Sequence, residues 1–281
     1  MAEEKIEFET KPESVKFTRN YFRFAVPLMA EFVATFLHTF WGSMAGFPLD
    51  RSTNSLNSSI ISSDVTIGYP DSNLLPAFQA GFAVWILIVG FFNISVFHFN
   101  PAVSVGFLVS GDLVIYMLIP YVVAQCLGAA AGAQIAKSLR GEDLVPLYIQ
   151  DDANITAIFF CEFITTGFIM FFTLAMVVDK TYQQHTGPFA LGMTVFQGVL
   201  AGRWVGAGCL NPARWFGPAL VTGGAAWNYH WVLWLGDCVG AFVFAIIYMM
   251  FFAPEDRIWF LKLNKKVSNL KSPAPYSVTK L

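Results

Sequence analysis

His98-Phe99-Asn100-Pro101-Ala102-Val103 and Cys209-Leu210-Asn211-Pro212-Ala213-Arg214 carry the same Asn-Pro-Ala triplet, each opening an apolar stretch too short to cross a bilayer. Asn is a favoured helix N-cap and Pro a favoured first helical residue, so the triplets predict helices over 101–110 and 212–221. Ten residues rise ~15 Å, about half of a ~30 Å hydrocarbon core. Two half-helices whose positive ends and capping amides meet at the midplane form a device for holding polar solutes inside a membrane.

Outward from the triplets the chain is too apolar for an ordinary soluble domain: 56% of 281 residues are hydrophobic and 13% charged. Six segments are candidate spans: 24–47, 74–97, 113–136, 155–178, 187–202 and 229–253. The fifth is short because Arg203 ends it. No small-residue cleavage site follows the mixed-charge N-terminal tail, so the first segment reads as a retained span. An even number of spans puts both termini on one side. That side carries twelve Lys and Arg, in the two tails and at Lys180, against five opposite (Arg51, Lys137, Arg140, Arg203 and Arg214), so both termini are expected to be cytosolic. A net charge of −2 gives no reason to invoke nucleic acid.

The chain echoes itself. Ala30-Glu31-Phe32-Val33-Ala34-Thr35 matches Cys161-Glu162-Phe163-Ile164-Thr165-Thr166, as the two Asn-Pro-Ala stretches match each other. Each half, about 24–137 and 155–253, is then three spans plus a half-helix. Three is odd, so the halves enter from opposite sides as an inverted repeat. The Glu-to-Asn distance is 69 residues in the first half and 49 in the second, and most of the excess is the polar loop at 48–73, placed outside by the charge count. Asn57-Ser58-Ser59 there is a candidate glycosylation sequon; Asn154-Ile155-Thr156 lies too close to a span. The tails at 1–23 and 254–281 read as solvated segments flanking a channel domain at 24–253.

None of the four cysteines has metal-ligand spacing, and neither a metal nor a cofactor is expected. Cys126, Cys161 and Cys238 read as small packing residues. Cys209, two residues before the second Asn, is a candidate pore-exposed thiol.

These residues together resemble the aquaporins, or major intrinsic proteins. Two Asn-Pro-Ala boxes in inverted repeats, a Glu in the first span of each half, Ala124-Gln125-Cys126-Leu127-Gly128-Ala129 and Arg214-Trp215-Phe216-Gly217-Pro218 carry the likeness over residues 24–253. The stretch from Gly208 to Arg214 is most similar to the branch that includes the ammonia-permeable aquaporins. The resemblance implies an all-α membrane fold of six transmembrane helices with two re-entrant half-helices, working as a non-enzymatic passive channel for water or small neutral solutes. It also implies a homotetramer with one pore per subunit, in the plasma membrane or an intracellular one.

What the resemblance implies for single residues follows position by position. Asn100 and Asn211 present side-chain N–H groups to a passing oxygen, in boxes completed by Pro101, Ala102, Pro212 and Ala213. Glu31 and Glu162 hold loop N–H groups near the half-helices, and His98 lines or braces the inner approach. Its imidazole would make that approach pH-sensitive. The outer filter falls at Ala80, Val199, Gly208 and Arg214. Where strict water channels carry an aromatic and a His, Ala80 and Val199 are small and apolar, which predicts a wider opening for urea, ammonia, hydrogen peroxide or glycerol. Arg214 adds positive charge that repels cations and protons. Trp215 stands where typical glycerol facilitators have Asp, which counts against glycerol.

Two departures from the family pattern stand out. Val96 and Phe97 replace small residues before the first box and would narrow the inner vestibule. Asp237 follows Gly236 where Pro is usual, and reads either as a helix-end residue facing a loop, the preferred reading, or as an intramembrane titratable site. The alternative function is a proton-coupled carrier using Glu31, Glu162 and Asp237.

Overall fold

The computed structural model describes residues 21–45, 74–95, 97–140, 149, 151–179, 186–203 and 205–259, all helical or loop, with no strand among them. Asn57 and its loop, Val96 and most of both tails lie outside the described residues. The helices are α1 (Val26–Ala45), α2 (Leu74–Ser95), α3 (Pro101–Ser110), α4 (Ile115–Arg140), α5 (Ile155–Thr173), α6 (Gly187–Arg203), α7 (Pro212–Thr222) and α8 (His230–Phe251). A wider turn, Tyr21–Ala25, leads into α1, and another, Leu174–Val178, extends α5.

The expected half-helices form as α3 and α7. Asn100 caps α3 in extended conformation with its Oδ1 accepting from the Ala102 N–H, and Pro101 supplies a fixed φ at the first position. The helix stops at Gly111, whose φ of 84° is the left-handed conformation that glycine adopts without steric cost. Asn211 caps α7 in the same way, accepting from Ala213 and Arg214. Among the described residues, five helical segments are long and apolar enough to cross a membrane. The fifth span, α6, has 17 residues, near the lower limit for a crossing.

The pairings repeat between halves. α1 packs on α4 as α5 packs on α8, and α2 packs on α6 across the centre. Each half-helix crosses to the other half's last span: α3 lies against α8, and α7 against α4. Small residues set these distances, as in membrane helix contacts generally, where close backbone approach replaces the hydrophobic drive. Gly128 and Gly132 of α4 face the carbonyls of Phe32 and Phe36; Gly240 of α8 faces that of Phe163. Gly81 and Gly192 form the α2–α6 counterpart: a Cβ added to either would lie 2.6 Å from the other's carbonyl oxygen.

Large apolar side chains cover the outside, among them Ile86, Val89, Ile115, Ile119, Phe160 and Phe168, while Glu31, Gln125, Glu162 and Asp237 have no exposed surface. That inversion suits a lipid surround with a polar interior. Asn154 caps α5 through its own Oδ1, so this sequon's side chain is committed to the helix end.

Candidate functional site

The two box loops are built around two buried carboxylates. In the first half, Glu31 of α1 accepts through Oε1 from the Ser95 hydroxyl and the His98 N–H, each at 2.9 Å, and through Oε2 from the Phe99 N–H at 2.6 Å and Gln125 Nε2 at 2.8 Å. In the second half, Glu162 of α5 accepts from the N–H groups of Gly208 (2.7 Å), Cys209 (2.8 Å) and Leu210 (2.9 Å). Each acid thereby satisfies loop donors that lipid cannot serve.

Holding those N–H groups fixes the carbonyls beyond them. Phe99 and Leu210, the residues just before each Asn, have φ of 38° and 57°, in the left-handed region that costs a non-glycine residue ~1–2 kcal/mol. The strained turn points each carbonyl at the opposite box. The Leu210 oxygen accepts from Asn100 Nδ2 at 2.6 Å, and the Phe99 oxygen accepts from Asn211 Nδ2 at 2.8 Å. Each carboxamide thus has its oxygen on its own helix and one N–H on the other half's loop. A second N–H remains on each nitrogen.

α3 and α7 meet at this point, so two helix N-termini converge where the Asn amides lie. An electronegative atom placed at this point would face amide donors from both boxes, and a cation the positive ends of both helices.

His98 is 1% exposed, with Nδ1 at 3.0 Å from Ser104 Oγ and its ring stacked on Phe107. The imidazole lies between α3 and α4, in contact with both, with Tyr121 also meeting it. Phe97 is buried too, against Phe91 and Phe99.

Of the four expected filter positions, Val199 and Gly208 come together: a Cβ on Gly208 would sit 3.1 Å from the Val199 carbonyl oxygen. Gly208 itself has φ of 99°. Ala80 lies on α2 beside Gly81, at the α2–α6 contact. Arg214 follows Asn211 in the first turn of α7 and reaches α1, where a Cβ on Gly42 would stand 2.5 Å from its Nε.

Two expectations change. Asp237 is not a helix-end residue facing a loop: it sits inside α8, fully buried, with Oδ1 accepting from Thr166 at 2.7 Å. The Cys209 thiol is turned toward α5 and α8, donates to the Asn211 carbonyl at 3.1 Å, and is buried. Potential ligand atoms of Glu162, Cys209 and Asp237 lie within 4.8 Å of one another. Both Glu162 oxygens already accept loop N–H groups, so the cluster reads as the wall behind the second box.

Several residues of the site were not anticipated: Ser95, Ser104, Thr166, His38 and Gly42. A signal for the last two exists. Glu31, Thr35, His38 and Gly42 recur at helical spacing along one face of an apolar span, and the first three are buried.

The family described as "Major intrinsic protein" matches residues 18–248. "Aquaporin-8" of Notomys alexis is 33% identical over 201 residues, covering 69% of this chain and 76% of that protein. "Aquaporin TIP4-2" of Zea mays is 32% identical over 231 residues, covering 80% and 84%. Among solved structures, the aquaglyceroporin from Plasmodium falciparum aligns with a TM-score of 0.61 at 24% identity, over 80% of this chain and 95% of that one, a likeness of fold.

Proposed function

Starting from the fact that the chain belongs to the major intrinsic protein family, we propose that this channel passes small uncharged solutes wider or less polar than water alongside water itself, and excludes ions and protons. It is an integral multi-pass membrane channel for water and small solutes and not an enzyme. The reciprocal pair of Asn-to-carbonyl bonds between the halves is the observation that carries the mechanism. It holds both amides at one level, where a dehydrated solute trades water hydrogen bonds for fixed ones.

Selection falls to Ala80, Val199, Gly208 and Arg214. Three of the four offer little side-chain volume, which supports a wide opening. Arg214 and nearby backbone carbonyls supply hydrogen bonds on one wall, and its charge joins the two helix N-termini in repelling cations. Glu31 and Glu162 serve as loop anchors, with oxygens occupied by N–H, hydroxyl and amide donors, which leaves them no evident part in a proton relay. The subunits assemble as a homotetramer with one pore each, in the plasma membrane, both termini cytosolic.

Stopped-flow light scattering on proteoliposomes, comparing water, urea, glycerol, ammonia and hydrogen peroxide, tests the reading. Flux of water and at least one larger solute, without saturation or response to a proton gradient, is expected. Conduction of water alone would overturn the wide opening; saturating, gradient-driven flux would overturn the passive channel.

A further inference from the structure

His38 is a polar residue in the apolar first span that neither box nor the four filter positions account for. Its side chain is 6% exposed, and its Nδ1 has no hydrogen-bond partner. An unsatisfied imidazole nitrogen within a membrane protein is unfavourable unless a solute or water completes it.

The surroundings say where the ring lies along the conduction path. On one side it meets Phe99 edge-on, with ring centroids 5.4 Å apart, and the Phe99 carbonyl is the acceptor for Asn211. Gly42, four residues on and therefore on the same face of α1 one turn away, is the residue against which the Arg214 guanidinium rests. His38 thus stands between the level of the Asn amides and the level of Arg214.

We propose that His38 is a further specificity-determining residue of this pore, giving solutes that carry both donors and acceptors, such as urea, a polar contact between Arg214 and the Asn boxes. The inference rests on the reading of the pore given above. With Ala80 and Val199 contributing no polar side-chain atoms, the imidazole is the side-chain partner that this stretch otherwise lacks. A neutral ring offers one donor and one acceptor, matching an amide or hydroxyl solute better than a bare cation, which Arg214 already repels.

The test compares full-length wild type, His38→Phe and His38→Gln in proteoliposomes, with water and urea flux normalised to protein reconstituted in the membrane. Phe preserves a ring and removes both nitrogens; Gln restores a donor and an acceptor. The urea-to-water ratio should fall at least five-fold in His38→Phe and return to within about two-fold of wild type in His38→Gln. An unchanged ratio in His38→Phe would overturn the inference. If the Phe variant does not reconstitute, His38→Met takes its place with the same expectation. Should wild type carry water alone, the wide-opening reading fails by itself, and His38 is then judged on water: unchanged permeability per channel in His38→Phe would overturn its role as well.

Discussion

Glu162 and Asp237 bring carboxyl oxygens within 4.8 Å of each other in a region without solvent exposure, yet they do different work. Glu162 accepts three loop N–H bonds, whereas Asp237 accepts one hydroxyl bond from Thr166. Were both ionised, their repulsion would be about 3–4 kcal/mol at an effective dielectric constant near 20. Asp237→Asn removes that repulsion and keeps an acceptor for Thr166, so thermal stability in detergent should be equal or higher and water flux retained. Glu162→Gln replaces an acceptor oxygen with a donor and orphans at least one loop N–H, a loss of about 1–3 kcal/mol. Equal effects of the two substitutions on melting temperature would contradict this division.

Removing the charge at Arg214 tests the electrostatic barrier. Arg214→Val should leave neutral-solute flux measurable while raising proton or cation conductance, read as a pH-sensitive dye response or a current in bilayers. The half-helix ends remain, so the leak is partial. Conductance equal to that of the unmodified channel would relegate Arg214 to anchoring.

Gly42→Val reaches the same group from behind. Its side chain would displace the guanidinium, the far end of a flexible chain, so stability should change little while ion exclusion weakens in the direction of Arg214→Val. A large drop in melting temperature with exclusion intact would mean that the helices moved instead.

Filter width is addressed by Ala80→Phe combined with Val199→His. The added side chains should suppress urea, glycerol or ammonia flux and spare water. Identical solute profiles before and after would place the constriction elsewhere.

Helix contact depends on Gly240, which faces the Phe163 carbonyl at the α5–α8 crossing. Gly240→Leu should lower stability by about 1–3 kcal/mol or more through overpacking. A melting temperature within experimental error of wild type would show that this crossing has slack.

The architecture could be read from the sequence because its determinants are local. Asn-Pro fixes where α3 and α7 begin, and long apolar runs fix the spans to within a few residues. The site was less legible because its decisive contacts are remote. Asn100 finds Leu210 across 110 residues, and no pattern near either one announces it. Asp237 illustrates the same limit: an acid after a glycine looks like a helix end, and only the crossing of α5 and α8 encloses it. His38 is hard to read from the sequence for another reason. One imidazole in an apolar run gives little signal until its face is traced through Glu31, Thr35 and Gly42.

The exchanged bonds between the boxes also bear on how the protein is made. A ribosome delivers the first triplet to the membrane well before the second, so Asn100 waits through synthesis of about a hundred residues for the carbonyl that takes its amide. Until then the left-handed turn at Phe99 is held from within the first half, its N–H on Glu31, and its own carbonyl faces no Asn211. The junction of the two boxes is therefore completed last, by the arrival of the second half. Chains ending before residue 211 should insert their early spans yet remain open to proteolysis around the first box.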